Sequence, residues 1–192
     1  MKKIMFNDRY GLTKAVLEGW KTMTRRFIPE DVWQRADVYR HKHYEDTLGL
    51  LPGKKALIEF SPFKVGAVVA VAQSLRDMGY DPRDTKHKSG AIWGLDHTPA
   101  WTNKMFVSAS ECIHQIRITN IRVEKLQDIS DEDCLNEGVF LGQFHTYSYV
   151  GRPRCPFNTP RDAFASLIDK VSGKGTWASN PWVYAYEFEL VK

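Results

Sequence analysis

Close to the C-terminus, Trp182, Tyr184, Tyr186, Phe188 and Leu190 alternate with Val183, Ala185, Glu187 and Glu189. A period of two sustained over this length is a β-strand pattern, because only a pleated strand turns every second side chain to the same face. That face is aromatic and must be covered, so the chain needs a sheet with a further layer packed on it. A second run, Ile113–Val123, sets the shape of the sheet. Ile116 and Ile118 share one face while Ile121 and Val123 share the other, so the phase slips at Thr119-Asn120. A β-bulge at that point explains the slip, and bulges suit the corners of small curved barrels.

The remaining segments fit around these two strands. Lys3–Phe6 reads as a short opening strand, Lys21–Ile28 as a strand rich in β-branched and aromatic residues, and Ala67–Ala72 as a strand buried on both faces. Gly11–Glu18 reads as a helix ended by Gly19, and a further helical piece falls around Asp31–His43. Ser130, followed by Asp131, Glu132 and Asp133, is an N-cap with acids at the positive end of a dipole, for a helix that ends at Gly138. Thr159-Pro160 opens another, which runs to Gly173. Residues 139–158 read as a loop or hairpin, 29–62 as an insertion between strands, and 75–104 as a second insertion, a long surface loop. The order predicts an α+β fold, a small curved barrel with packed helices and two insertions, rather than alternating βαβ units.

With 192 residues, 43% hydrophobic and 26% charged, the chain is expected to be a single domain over 1–192 with a full core. Its 6 Trp, 8 Tyr and 10 Phe imply either a dense core or stacking surfaces. Net charge is +4, with the basic excess in the N-terminal half, which permits a polyanionic partner without requiring one. No apolar run reaches membrane-spanning length, no export signal is evident, and Cys112, Cys134 and Cys155 lack a C-x-x-C pairing. Reduced thiols in a cytoplasmic, membrane-independent protein are expected, with neither metal nor cofactor. No G-x-G-x-x-G or Walker loop points to nucleotide triphosphates. His41-x-His43 lacks a third ligand and reads as exposed, and Ser110-x-Cys112-x-His114 reads as alternate strand positions rather than a thiol nucleophile.

The stretch richest in chemistry is Gly19-Trp20-Lys21-Thr22-Met23-Thr24-Arg25-Arg26. As a strand it turns Thr22, Thr24 and Arg26 to one face, with Lys21 pointing away unless it still belongs to the turn. It is either an exposed basic strand edge or part of a site that requires an acidic partner from elsewhere. Asp131, Glu132 and Asp133 are accounted for by the helix dipole, which leaves Glu137 as the unexplained acid of that helix.

Gly19-x-Lys21-x-x-Thr24-x-Arg26 resembles the signature of the ASCH domain, a relative of the PUA fold. Phe63–Gly66, Ile116–Val123, Leu126–Ser130 with Glu137-Gly138, and Trp177–Phe188 extend the resemblance over nearly the whole chain except the insertions, most closely to phage and prophage members. The resemblance implies a small β-barrel that binds RNA or another single-stranded nucleic acid, or a modified nucleobase. It also implies an alternative activity, since some small members are amidohydrolases that remove the acyl group of N4-acylated cytidine. Carried over motif by motif, their catalytic residues are Lys21, Thr24 and Glu137. In that chemistry Lys21, with its pKa lowered beside Arg25 and Arg26, takes the Thr24 proton, Glu137 passes a proton to the leaving amine, and Arg26 or a backbone N–H holds the oxyanion. Where many phage-type members have Arg-Glu-Thr after the buried strand, this chain has Ala72-Gln73-Ser74. In the binding reading, Arg25 and Arg26 meet phosphates together with Lys21. Trp101 or Tyr149 stacks on a base, and Gln73 and His114 line the cleft. A third reading, from insertion length alone, is a phage-encoded interaction protein.

Overall fold

The computed structural model describes residues 1–43, 53–87, 93–150 and 156–191. Among these described residues, seven strands and six α-helices follow in the order β1 (Lys3–Ile4), α1 (Leu12–Leu17), β2 (Met23–Phe27), α2 (Glu30–His43), α3 (Lys54–Glu59), β3 (Val68–Val71), β4 (Gln115–Lys125), α4 (Asp131–Asn136), β5 (Val139–Leu141), β6 (Tyr147–Tyr149), α5 (Pro160–Ser172), α6 (Thr176–Ser179) and β7 (Trp182–Leu190). The main sheet has the order β1-β3-β4-β7-β2, with β1 parallel to β3 and every other pair antiparallel. A separate hairpin, β5-β6, pairs Val139 with Tyr149. The fold is therefore α+β on a five-stranded mixed sheet. Among the described residues, no helix is long and apolar enough to cross a membrane.

The bulge lies where the phase slip puts it, since the β4–β7 register shifts between Ile118 and Asn120. Its effect is to undo the alternation break, and Ile116, Ile118, Ile121 and Val123 all enter one core with Tyr184, Tyr186 and Phe188 of β7. The first insertion builds much of the layer over that aromatic face. Val32, Ala36 and Leu57 are buried against it, Tyr184 Oη donates to the Leu57 carbonyl at 2.6 Å, and Tyr186 Oη lies 2.7 Å from Ser61 Oγ. Each buried tyrosine thus finds a partner for its polar end. On the other face, Val183 packs with Leu126, Ile129, Cys134, Val139 and the α5 residues Ala163, Phe164 and Ile168. Ser130 Oγ and Thr159 Oγ1 accept from the backbone N–H of Asp133 and Asp162, both at 3.1 Å, and so cap α4 and α5.

The segment after β3 is more than the surface loop its glycines and prolines suggest. Leu75, Leu95, Ala100, Val107 and Cys112 form a third, smaller core with Ala70, and Trp101 packs at its edge. Spaced apolar residues within turns show no periodicity, so this core leaves no helix or strand signal in the sequence.

Candidate functional site

The site forms where the end of α1, the start of β2 and the end of α4 meet. Gly19, at φ 83, breaks α1 in a left-handed conformation, and the N–H groups of Trp20 and Lys21 both return to the Ala15 carbonyl at 3.0 Å. Lys21 therefore sits in the turn before the strand. The Thr22 N–H donates to the Asn136 carbonyl at 3.0 Å, which fastens the motif to the last turn of α4. Gly138 follows at φ 103, and a Cβ there would lie 3.4 Å from Leu12 and 3.7 Å from the Lys21 stem. The close approach brings Glu137 onto Lys21.

Lys21, only 2% exposed, donates from Nζ to Glu137 Oε2 at 2.6 Å and to the Glu137 carbonyl at 2.7 Å. The second bond satisfies an end carbonyl of α4. The other carboxylate oxygen, Oε1, accepts from Arg25 Nη1 at 3.2 Å. Arg25 Nε and Nη2 also reach Glu124 Oε1 at 3.0 and 2.6 Å, and Nη2 reaches Asp133 Oδ2 at 2.7 Å. Arg122 extends the network outward to Glu124 at 3.3 Å, and to Asp133 and Glu187. Phe6 lies beneath the cations, with Lys21 Nζ 5.9 Å and the Arg26 guanidinium 5.7 Å from its ring centre.

Burial drives the Lys21 amine below the ordinary lysine value, helped by the like charges of Arg26 and Arg25 and opposed by Glu137. Burial likewise lowers Arg26. Arg25 stands above the ordinary arginine value because Glu137, Glu124 and Asp133 together outweigh its desolvation. Cys134, in the core behind, is pushed up to about 12 by burial, so it is no nucleophile near neutrality.

Beside the network lies a cavity of about 130 Å³, lined by Lys21, Thr24, Arg25, Arg26, Glu137 and Phe6 on one side and by Phe164, Leu167, Ile168 and Val171 of α5 on the other. At about 30 Å³ for each water it displaces, it takes a planar ring or a small acyl group rather than a drug-sized ligand. Its wall holds Thr24 and, among the described residues, one buried polar atom without a protein partner. Thr24, 5% exposed, makes no side-chain hydrogen bond among the described residues. Arg26 Nε is the one buried side-chain nitrogen or oxygen among them without a partner, although Nη2 of the same guanidinium donates to the Met5 carbonyl.

Lys21, Thr24, Arg26 and Glu137 are thus brought together as the sequence suggests. Lys21 is hydrogen-bonded to Glu137, not to Thr24. Arg25 differs from the expectation of a phosphate contact. Its side chain is wholly buried and its donors are taken by three carboxylates. Nor is Asp133 only a helix-dipole residue, because it binds both Arg25 and Arg122. Gln73 and His114 bond to each other at 2.7 Å and do not line the cavity. Trp101 belongs to the small third core, and Tyr149 is fully buried, so neither presents a face for stacking there. His41 and His43 side chains and Cys155 lie outside the described residues. Sequence reasoning missed Glu124 and Phe6, and with them the apolar wall from α5. The alternation along β4 shows that Glu124 faces away from Val123 but gives no sign that Arg25 lies opposite it. In comparisons with known proteins, no family model matches this chain, and no curated protein or solved structure matches it.

Proposed function

We propose that this chain is an ASCH-like protein of the PUA type and that its cavity binds a modified nucleobase, of a nucleoside or within a nucleic acid. The five-stranded mixed sheet, its bulge and the helices on both faces are compatible with a curved barrel of that kind. The observation that carries the reading is the buried Arg26 Nε, without a partner among the described residues, in the same small wall as Thr24. A buried donor without an acceptor costs about 1–3 kcal/mol, which a ligand oxygen recovers. The opposing α5 wall supplies the apolar contact that a flat base requires. Titration of the protein with N4-acetylcytidine in a calorimeter should give binding that weakens in Arg26→Ala. Absence of binding at millimolar nucleoside overturns the reading.

A second reading, removal of the acyl group, is favoured by the 2.6 Å contact between Lys21 Nζ and Glu137 Oε2. In this route the Lys21 proton passes across that contact to Glu137, which leaves a neutral amine. That amine takes the proton of the Thr24 hydroxyl as Oγ1 attacks the acyl carbon. Arg26 holds the developing oxyanion, the C–N bond breaks, and Glu137 returns its proton to the departing cytosine nitrogen. Water then hydrolyses the acyl ester on Thr24 and releases the carboxylic acid. Thr24→Val, which removes only the hydroxyl, should abolish cytidine release while N4-acetylcytidine still binds. Turnover that survives in this variant excludes the covalent route.

A further inference from the structure

Of the cations that line the first cavity, Arg26 alone has no carboxylate on it among the described residues. Lys21 is paired with Glu137, and Arg25 with Glu124, Asp133 and Glu137. The Arg26 guanidinium has the Met5 carbonyl at Nη2 and the Phe6 ring beneath it, and its buried Nε has no acceptor. We propose that this cavity is an oxyanion site that takes a short-chain carboxylate, acetate or propionate, with the charged end on Arg26 and the alkyl end against α5. This deepens, and for the source of the carboxylate rests on, the reading of the cavity as the seat of an N-acyl group.

Charge makes the case for an anion. Lys21, Arg25 and Arg26 line the cavity against a single acid, Glu137. Both oxygens of that acid are engaged, Oε2 by Lys21 and Oε1 by Arg25, and neither forms an ion pair with Arg26. A buried cation without a counter-charge is costly, and burial already holds Arg26 below the ordinary arginine value. A ligand carboxylate supplies both the acceptor missing at Nε and the negative charge missing in the wall. A neutral acyl oxygen supplies the acceptor alone, and a hydrogen bond to an ionised acceptor is roughly twice as strong. A second cavity, of about 440 Å³ at the β5-β6 hairpin, has no charged side chain in its lining, so the cationic excess belongs to the first.

Shape selects the short chain. Thr24 stands two residues before Arg26 on the same face of β2, where its hydroxyl serves the second carboxylate oxygen. The side chains of Phe164, Leu167 and Ile168 across the cavity are apolar and take the alkyl end. A volume of about 130 Å³, at about 30 Å³ for each water, has room for acetate or propionate and none for a long fatty acid. In the acyl-removal route the same ligand is the last product. Hydrolysis of the Thr24 ester breaks its acyl C–O bond, returns the proton to Thr24 Oγ1 and leaves a carboxylic acid that ionises at neutral pH. The carboxylate then occupies Arg26 and must leave before the next amide enters.

The test titrates the full chain in a calorimeter at fixed ionic strength with sodium acetate, with acetamide, which has the shape without the charge, and with sodium chloride. Acetate should bind about tenfold more tightly than acetamide, chloride should not reproduce its heat, and acetate should raise the apparent Kd of N4-acetylcytidine as a competitor does. Arg26→Gln should weaken acetate about tenfold or more, with its fold checked by circular dichroism. The comparison of acetate with acetamide is made on the parent and holds whether or not that variant folds. Acetate that binds no better than acetamide or chloride overturns the inference, and the nucleobase reading stands if N4-acetylcytidine still binds. Acetate that binds without displacing N4-acetylcytidine also overturns it, because the two must share Arg26. Arg26-dependent binding of acetate with no binding of the nucleoside keeps the oxyanion site, with acid from solution as its source, and removes the nucleobase reading. Where the parent releases cytidine, inhibition by acetate that raises KM and leaves kcat unchanged identifies the carboxylate as the product. Binding of neither ligand overturns both.

Discussion

Arg25 is surrounded by three carboxylates and has no exposed side-chain surface. Its planar fork explains the choice of residue, because Nε, Nη1 and Nη2 diverge in directions that a single ammonium could not serve. The network fixes the orientation of Glu137, whose two carboxylate oxygens are held by Arg25 and Lys21. For Lys21, burial makes the folded-state pKa lower than the 10.5 of an ordinary lysine, so between those two values the unfolded chain binds more protons than the folded one. Stability contributed at this position must therefore rise with pH through that window and level off above 10.5, the cost of the buried ammonium being fully present only below the folded value. Urea unfolding of the parent and of Lys21→Met across alkaline pH should show the parent gaining on the variant as pH increases. A constant difference would mean that the amine titrates as it does in water.

At the scale of elements, the bulge in β4 matters most. Strict alternation would send Ile121 and Val123 to the face opposite Ile116 and Ile118, yet all four share one core because the register shifts between Ile118 and Asn120. Asn120 stabilises the irregularity itself, since its Oδ1 accepts from the Ile121 N–H at 2.8 Å and its Nδ2 donates to Glu187 at 3.1 Å. Deletion of Asn120 removes the extra residue and forces a choice between the two halves of the strand. At about 1.5–3 kcal/mol for each aliphatic side chain expelled, losing Ile121 and Val123 costs about 3–6 kcal/mol. The unfolding midpoint in urea should fall accordingly. An unchanged midpoint would show that the core does not depend on the bulge. α4 carries its function in the same local way, since its Ser130 cap sets where the helix begins and Gly138 where it ends, and Glu137 occupies the closing position.

Across the whole molecule, the insertions are structural members. The first covers the tyrosines of β7, and the second is latched to the N-terminus by two lysines. Lys3 Nζ donates to the carbonyls of Lys104, Met105 and Val107 at 3.1, 2.8 and 2.6 Å. Lys104 Nζ answers with bonds to the Phe6 carbonyl, to Asp8 Oδ1 at 2.8 Å and to Thr13 Oγ1 at 3.1 Å. Because the Phe6 ring underlies Lys21 and Arg26, the second insertion reaches the first cavity through one backbone carbonyl. Lys104→Ala should lower stability by about 2 kcal/mol and speed limited proteolysis between residues 75 and 114 before global unfolding. Cleavage at the parent's rate would show that the small core of Leu75, Leu95 and Val107 holds the insertion unaided.

The strands β4 and β7, the slip between them, and the caps at Ser130 and Thr159 were legible in the chain because each is written in residues close together, by periodicity or by a side chain bonding its own helix. Lys21, Thr24 and Glu137 were legible as residue types attached to a turn, a strand and a helix end. Their convergence was implied only by the family resemblance and not by any local pattern, since Lys21 and Glu137 stand 116 positions apart and meet only through packing. The same separation hid the roles of Glu124, Asp133 and Phe6, sent Arg25 inward rather than to a phosphate, and left Gln73, His114 and Trp101 away from the cavity. Local sequence determined the elements, their ends and the one irregular register. The tertiary structure decided which charges meet, because an ion pair forms between neighbours in space and carries no mark at either position in the chain.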